Sequence, residues 1–185
     1  MVRSIALLGT LLALLQVALA AFLGDGLYRI KQDNDAISAD ETNEESPALL
    51  FPDRGYSEQV WHIKHVDDVH VTISSATTGR FLGVERARYN AFILAGWEEQ
   101  QWKLTKSGEK EGHYNIVYPE QVGGEDLSIG ISPYRIFPPR IALQKAHGSS
   151  SHTTHWKLEK DDGFGSCGSE RKIPRFRSQL KWSWD

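Results

Sequence analysis

Two groups of histidines are the first residues whose type and spacing suggest chemistry. His62, His65 and His70 form one group, and His147, His152 and His155 form the other. Neutral imidazole is a common zinc ligand, but zinc sites set their ligands at short characteristic intervals, often with cysteines, and neither group has that pattern. Both therefore read as strand and loop histidines, and no metal is expected. Cys167 lies in the run Gly165-Ser166-Cys167-Gly168. A thiol becomes a catalytic nucleophile only beside a committed base, and no histidine is placed for that role, so it reads as a free thiol. Gly123-Gly124 is a turn and not a phosphate cradle, because no P-loop lysine and no GxGxxG pattern follows. With no nucleophile–base pair, no metal set and no spaced carboxylates, the chain reads as a non-enzyme without a cofactor.

The elements that carry these residues repeat. Val60-Trp61-His62-Ile63, Gln101-Trp102-Lys103-Leu104 and His155-Trp156-Lys157-Leu158 share one alternation of apolar and polar positions, each a short strand. Tyr28-Arg29-Ile30, Val71-Thr72-Ile73 and Tyr114-Asn115-Ile116 open three matching units. Ile30 to Trp61 is 31 residues, Ile73 to Trp102 is 29, and Ile116 to Trp156 is 40, so the third unit carries an insertion. Each unit has room for two further strands. In the second unit these are Phe81–Val84 and Ala91–Leu94; in the third, Leu127–Ile131 and Arg140–Leu143; in the first, a weak Ala36-Ile37 and a strong Ala48–Phe51. Three units of four strands predict an all-β chain, a threefold β-trefoil barrel with a hairpin cap, in which Trp61, Trp102 and Trp156 are core. A two-sheet sandwich is the alternative, but it needs no threefold period. Trp97 breaks the repeat and is assigned to the surface.

Composition agrees with this architecture. The 185 residues are 40% hydrophobic and 24% charged, which fits one globular domain, and sixteen Gly with six Trp against a single Met favour turn-rich antiparallel sheet. A net charge of -3 gives no global field for holding nucleic acid, and no stable membrane insertion is expected. The amino terminus reads as a secretory signal: Arg3 precedes an apolar run, and Ala18-Leu19-Ala20 supplies a small-residue cleavage site, so residues 1–20 are expected to be removed. An uncleaved anchor is the alternative. Residues 21–160 then form the trefoil and 161–185 a basic, aromatic tail. The acidic stretch from Gln32 to Ser46 reads as a long surface loop.

The segments Gly26–Ile30, Ser46–Leu50 before Val60-Trp61, Ala91–Leu94 before Gln101-Trp102, and Ile141–Leu143 before Trp156 resemble the cospin-type serine protease inhibitors of mushrooms. The resemblance covers about residues 24–160. It implies a monomeric β-trefoil whose exposed first-repeat loop occludes a serine protease like a substrate, and on this chain that loop is Gln32–Ser46. A family inhibitor carries Asn at its specificity position, which makes Asn34 and Asn43 the protease-contacting candidates. No Lys or Arg lies in the loop, and Arg54 is the nearest basic residue beyond it. The chain is also similar to ricin-type sugar-binding trefoils, whose repeats carry Q-x-W. Gln59-Val60-Trp61 and Gln100-Gln101-Trp102 fit that pattern, while Thr154-His155-Trp156 does not. That resemblance implies a lectin, but it requires an Asp and an aromatic on each repeat's surface, and the three units hold no consistent pair. An interaction module of unspecified ligand is the third alternative.

Overall fold

The computed structural model describes residues 23–40, 46–147 and 153–163. The expected leader, Asn43, Cys167, His152 and almost all of the expected tail lie outside these residues. Among the described residues twelve strands form three units of four. The first unit holds β1 (Gly26–Gln32), β2 (Asp35–Ser38), β3 (Leu49–Pro52) and β4 (Trp61–His65). The second holds β5 (His70–Ser75), β6 (Phe81–Gly83), β7 (Leu94–Gly96) and β8 (Gln101–Lys106). The third holds β9 (His113–Val117), β10 (Leu127–Ile131), β11 (Ile141–Lys145) and β12 (Trp156–Lys160). Antiparallel pairing runs β1–β4–β5–β8–β9–β12 and back to β1, which closes a six-stranded barrel and leaves it without an open edge. The hairpins β2–β3, β6–β7 and β10–β11 form the cap. The fold is a β-trefoil.

The three repeat tryptophans are fully buried, and each indole N–H needs an acceptor there. Trp61 donates to the Ile37 carbonyl at 2.9 Å, Trp102 to Leu82 at 2.9 Å and Trp156 to Ile129 at 2.8 Å. These bonds fix the equivalence of the units, because each ties the closing strand of a unit to the middle of its second strand. The cap closes on the same axis. Ala48 donates its amide to Ile93 at 2.7 Å, Ile93 to Ile141 at 3.0 Å, and Ile141 back to Ala48 at 2.8 Å. This three-bond backbone ring satisfies buried amides at the point where the hairpins converge.

The stretch from Gln32 to Ser46 is not one long loop. Strand β2 occupies Asp35–Ser38, and Ala36, Ile37, Ser38 and Ala39 are buried. The weak strand expected at Ala36-Ile37 is present inside the expected loop, and Ile37 and Ala39 enter the core. Asp33, at φ 53°, makes the tight turn between β1 and β2; Asp is among the few residues that tolerate that left-handed conformation. Strand β7 also starts later than expected, at Leu94. The backbone of Ala91 and Ile93 is engaged across the axis, where Ala91 accepts from Leu143 at 2.8 Å.

Arg29 and Lys31 tie β1 to the segment after β3 and to the end of β12. Arg29 reaches Asp53 at 3.3 Å and Asp161 at 2.8 Å, and Lys31 reaches Asp53 at 2.7 Å and Glu159 at 3.3 Å. Asp53 feels two opposing influences: burial raises its pKa, but the hydrogen bonds from Lys31 and the Gly55 amide and the charge of Arg29 outweigh it, so its carboxyl is held below its ordinary range.

Candidate functional site

The barrel wall between the second and third units opens into a cleft of about 460 Å³. Strand β8 contributes Lys103, Thr105 and Lys106 to it, and β9 contributes Asn115 and Val117. Glu109 enters from the turn between those strands. Asp126 stands just before β10, and Ala146, His147 and His155 close the far side. The third unit's extra residues build these walls. Thirteen positions separate Leu143 from Trp156, against seven between Ala95 and Trp102, and thirteen separate Ile116 from Ile129, against nine between Ile73 and Leu82. Asp126 lies on the second of these extensions and His147 on the first.

His155 organises the floor. It is 5% exposed, its Nδ1 lies 2.8 Å from the Asn115 Oδ1 and 3.1 Å from the Ser107 Oγ, and its Nε2 lies 3.1 Å from the Glu109 Oε2. Serine, imidazole and carboxylate in sequence outline an acyl-transfer triad, but the hydrogen bonding is wrong for one. The Asn115 oxygen is an acceptor only, so Nδ1 faces it as a donor and cannot serve as base toward Ser107. The Ser107 hydroxyl oxygen in turn accepts the amides of Glu109 at 3.2 Å and Lys110 at 3.0 Å, which makes it the cap of the β8–β9 turn. The network positions side chains. What it presents to solvent is two carboxylates, from Glu109 and Asp126, beside the cations of Lys103 and Lys106 and the His147 ring. Val117, Ala146 and the lysine stems supply apolar contact.

The residues singled out in the sequence are dispersed. Asn34 is exposed at the β1–β2 turn, where its carbonyl accepts the Asp53 amide at 2.9 Å. It is not among the residues lining the cleft. Arg54 is exposed, with its amide held by the Gln59 Oε1 at 3.3 Å. The two Q-x-W glutamines brace backbone: Gln59 donates to the Pro52 carbonyl at 3.0 Å, and the Gln100 Oε1 accepts the Val84 amide at 2.8 Å. At the positions following the tryptophan-bound carbonyls stand Ser38, Gly83 and Gly130, and the hairpin partners Leu50, Ala95 and Leu143 are followed by Phe51, Gly96 and Gln144. No carboxylate–aromatic pair recurs through these positions.

His147 and His155 share the cleft, while His65 and His70 of the other group each pair with a different carboxylate. His65 Nδ1 meets Asp25 at 2.7 Å, and His70 Nδ1 meets Asp67 at 2.8 Å. The amides of Val69 and His70 and the His70 ring hold the Asp67 carboxyl down at about 2, and the His65 amide and ring lower that of Asp25. Among the described residues no group of three His, Cys, Asp or Glu is arranged to hold a metal ion. Trp97 is 62% exposed, with the Arg80 guanidinium 5.2 Å from its ring centroid.

No family model and no curated protein matches the sequence. Solved structures do match in fold. The ricin B-like lectin of Macrolepiota procera, solved in complex with lactose, has a TM-score of 0.64 at 16% identity and covers 76% of this chain and 99% of its own. The designed threefold-symmetric protein ThreeFoil has a TM-score of 0.62 at 17% identity, covering 74% and 100%. The Polyporus squamosus lectin, bound to a human-type influenza-binding epitope, has a TM-score of 0.61 at 16% identity, covering 76% and 50%. At these identities the likeness is one of fold, and these neighbours are lectins or a designed trefoil.

Proposed function

We propose that this chain is a non-catalytic carbohydrate-binding trefoil whose site is the cleft between the second and third units. The observation that carries the proposal is the convergence of Glu109 and Asp126 with Lys103, Lys106 and His147 around one concave, partly apolar surface. Sugar hydroxyls both donate and accept, so a wall alternating carboxylates with cations complements them, and charged partners make the stronger hydrogen bonds. The lactose and sialylated-epitope complexes of the fold neighbours lend support to this class of ligand. The two extensions that wall this cleft occur together only in the third unit. A glycan array probed with the purified chain tests the proposal: selective signal that is lost in Asp126→Asn and Lys106→Ala supports it, and a blank array overturns it.

Protease inhibition is the second reading, favoured by the exposed Asn34 on a turn anchored from both sides. A panel of serine endopeptidases with the parent chain and Asn34→Lys tests it. Inhibition weakened by the substitution supports it, and no inhibition by the parent removes it.

A further inference from the structure

The most exposed of the large apolar side chains among the described residues lies away from the cleft, on the loop between β10 and β11. Phe137 is 87% exposed, Tyr134 57% and Ile136 44%, consecutive with the exposed Arg135. Such a run on a soluble surface marks a contact site more often than chance exposure. The loop is braced at its base. Ser132 donates its amide to the Arg140 carbonyl at 2.8 Å, Pro139 accepts the Leu50 amide at 2.8 Å, and the Ser132 hydroxyl bonds Asn90 Oδ1 at 2.9 Å. Tyr134 stands edge-on to Phe92 with ring centroids 6.4 Å apart, and the Arg140 guanidinium lies 5.1 Å from the Phe92 ring centroid. The apolar tip is therefore held outward.

Positive charge predominates around it. The bond to Asn90 brings the base of this loop against the β6–β7 hairpin, which exposes Arg86, Arg88 and Tyr89. Across residues 85–90 and 132–140 there are four arginines, at 86, 88, 135 and 140, and one carboxylate, Glu85, so this face is locally positive by three on a chain whose net charge is -3. Apolar side chains at the apex with cations set back behind them match the layering of a bilayer, where hydrocarbon lies beneath anionic headgroups, and tyrosine suits the boundary between them.

We propose that the β10–β11 loop docks this chain peripherally on an anionic lipid bilayer, with Phe137 and Ile136 entering the interface and Arg86, Arg88 and Arg135 meeting headgroup phosphates. The inference is independent of the sugar reading, since none of these residues lines the cleft. Co-sedimentation of the full chain with phosphatidylcholine vesicles, with and without about 30 mol% phosphatidylserine, tests it. The expected result is binding to the anionic vesicles only, weakened about tenfold on raising salt from about 0.1 to about 0.5 M. The pairs Ile136→Ser with Phe137→Ser, and Arg86→Glu with Arg88→Glu, should each weaken binding by about tenfold while thermal unfolding stays unchanged. Absence of sedimentation, equal binding to both vesicle types, or anionic binding untouched by both pairs overturns it. So does capture of a trypsin-like protease by Arg135 in a chain that ignores vesicles.

Discussion

Ile141 donates its backbone amide to the Ala48 carbonyl at 2.8 Å, joining the hairpin of the third unit to that of the first and completing the ring that passes through Ile93. No unit can satisfy its own member of this ring, so each hairpin needs both others.

The ring and the closed barrel make the three units one cooperative body. Thermal unfolding should give a single transition, with calorimetric and van't Hoff enthalpies equal and tryptophan fluorescence coincident with far-ultraviolet dichroism. Separated transitions for the two probes would show that the units unfold independently.

Each repeat tryptophan contributes volume and one buried hydrogen bond. Trp102→Phe leaves the Leu82 carbonyl without its 2.9 Å donor and opens a small cavity, so it should cost about 2–4 kcal/mol in denaturant titration. Trp97→Phe, on a surface residue, should cost less than about 1 kcal/mol.

Gly130 and Gly83 are equivalent, yet they should respond differently to alanine. A methyl at Gly130 would meet Gln144 Cγ and Thr154 Cγ2 at 2.9 Å and the Thr153 carbonyl at 3.1 Å, whereas at Gly83 its nearest neighbour is the Gln100 Oε1 at 3.1 Å. Gly130→Ala should destabilise by about 1–3 kcal/mol, and Gly83→Ala by less, because one side chain can give way there. Equal losses in denaturant midpoints would contradict this.

Acid should unfold the chain through its depressed carboxylates. Asp25, Asp53 and Asp67 all have folded pKa values below those of the unfolded chain, so between the two values the unfolded state binds more protons and stability rises with pH. Their contribution is complete above about pH 4 and is lost as pH falls, for Asp67 through about 2. At the alkaline end, the Asp53 hydrogen bond raises the pKa of Lys31 and burial raises that of Tyr28, so stability should fall above about pH 10. Stability measured against pH, with Asp67→Asn showing a shallower acid limb, checks both signs.

The cleft floor and its rim should separate binding from folding. His155→Ala strands the Asn115 oxygen and should cost about 1–3 kcal/mol of stability as well as sugar affinity. Glu109→Gln, on an exposed side chain, should weaken sugar binding while changing stability by less than about 0.5 kcal/mol. Calorimetric titration beside thermal melts distinguishes the two effects.

The trefoil was legible because the tryptophan strands repeat at nearly constant spacing and each alternates cleanly, so Trp61, Trp102 and Trp156 announce both core and symmetry. β2 read as weak because Asp33, Asp35 and Asp40 surround only Ala36 and Ile37; its place is fixed by Trp61, which needs the Ile37 carbonyl 24 residues upstream. β7 was misplaced by three residues because Ala91 and Ile93 look like strand but hydrogen-bond across the axis. The cleft left one trace, the third unit's forty-residue span. Its chemistry was hidden because His155 meets Glu109 and Asn115 across 46 and 40 positions, and such pairing has no local pattern.

β1 lies antiparallel to β12, with Tyr28 opposite Lys160 and Ile30 opposite Leu158. The polypeptide thus enters and leaves the barrel through one seam. A short linker across that seam, with new ends cut at the Thr77-Thr78-Gly79 turn, should yield a circular permutant with the same barrel, since the domain's geometry singles out no unit as first. By the same token, cargo joined directly before Gly26 or directly after Asp161 would leave the barrel beside the Arg29–Asp161 clasp, so the two junctions should place a partner in nearly the same position.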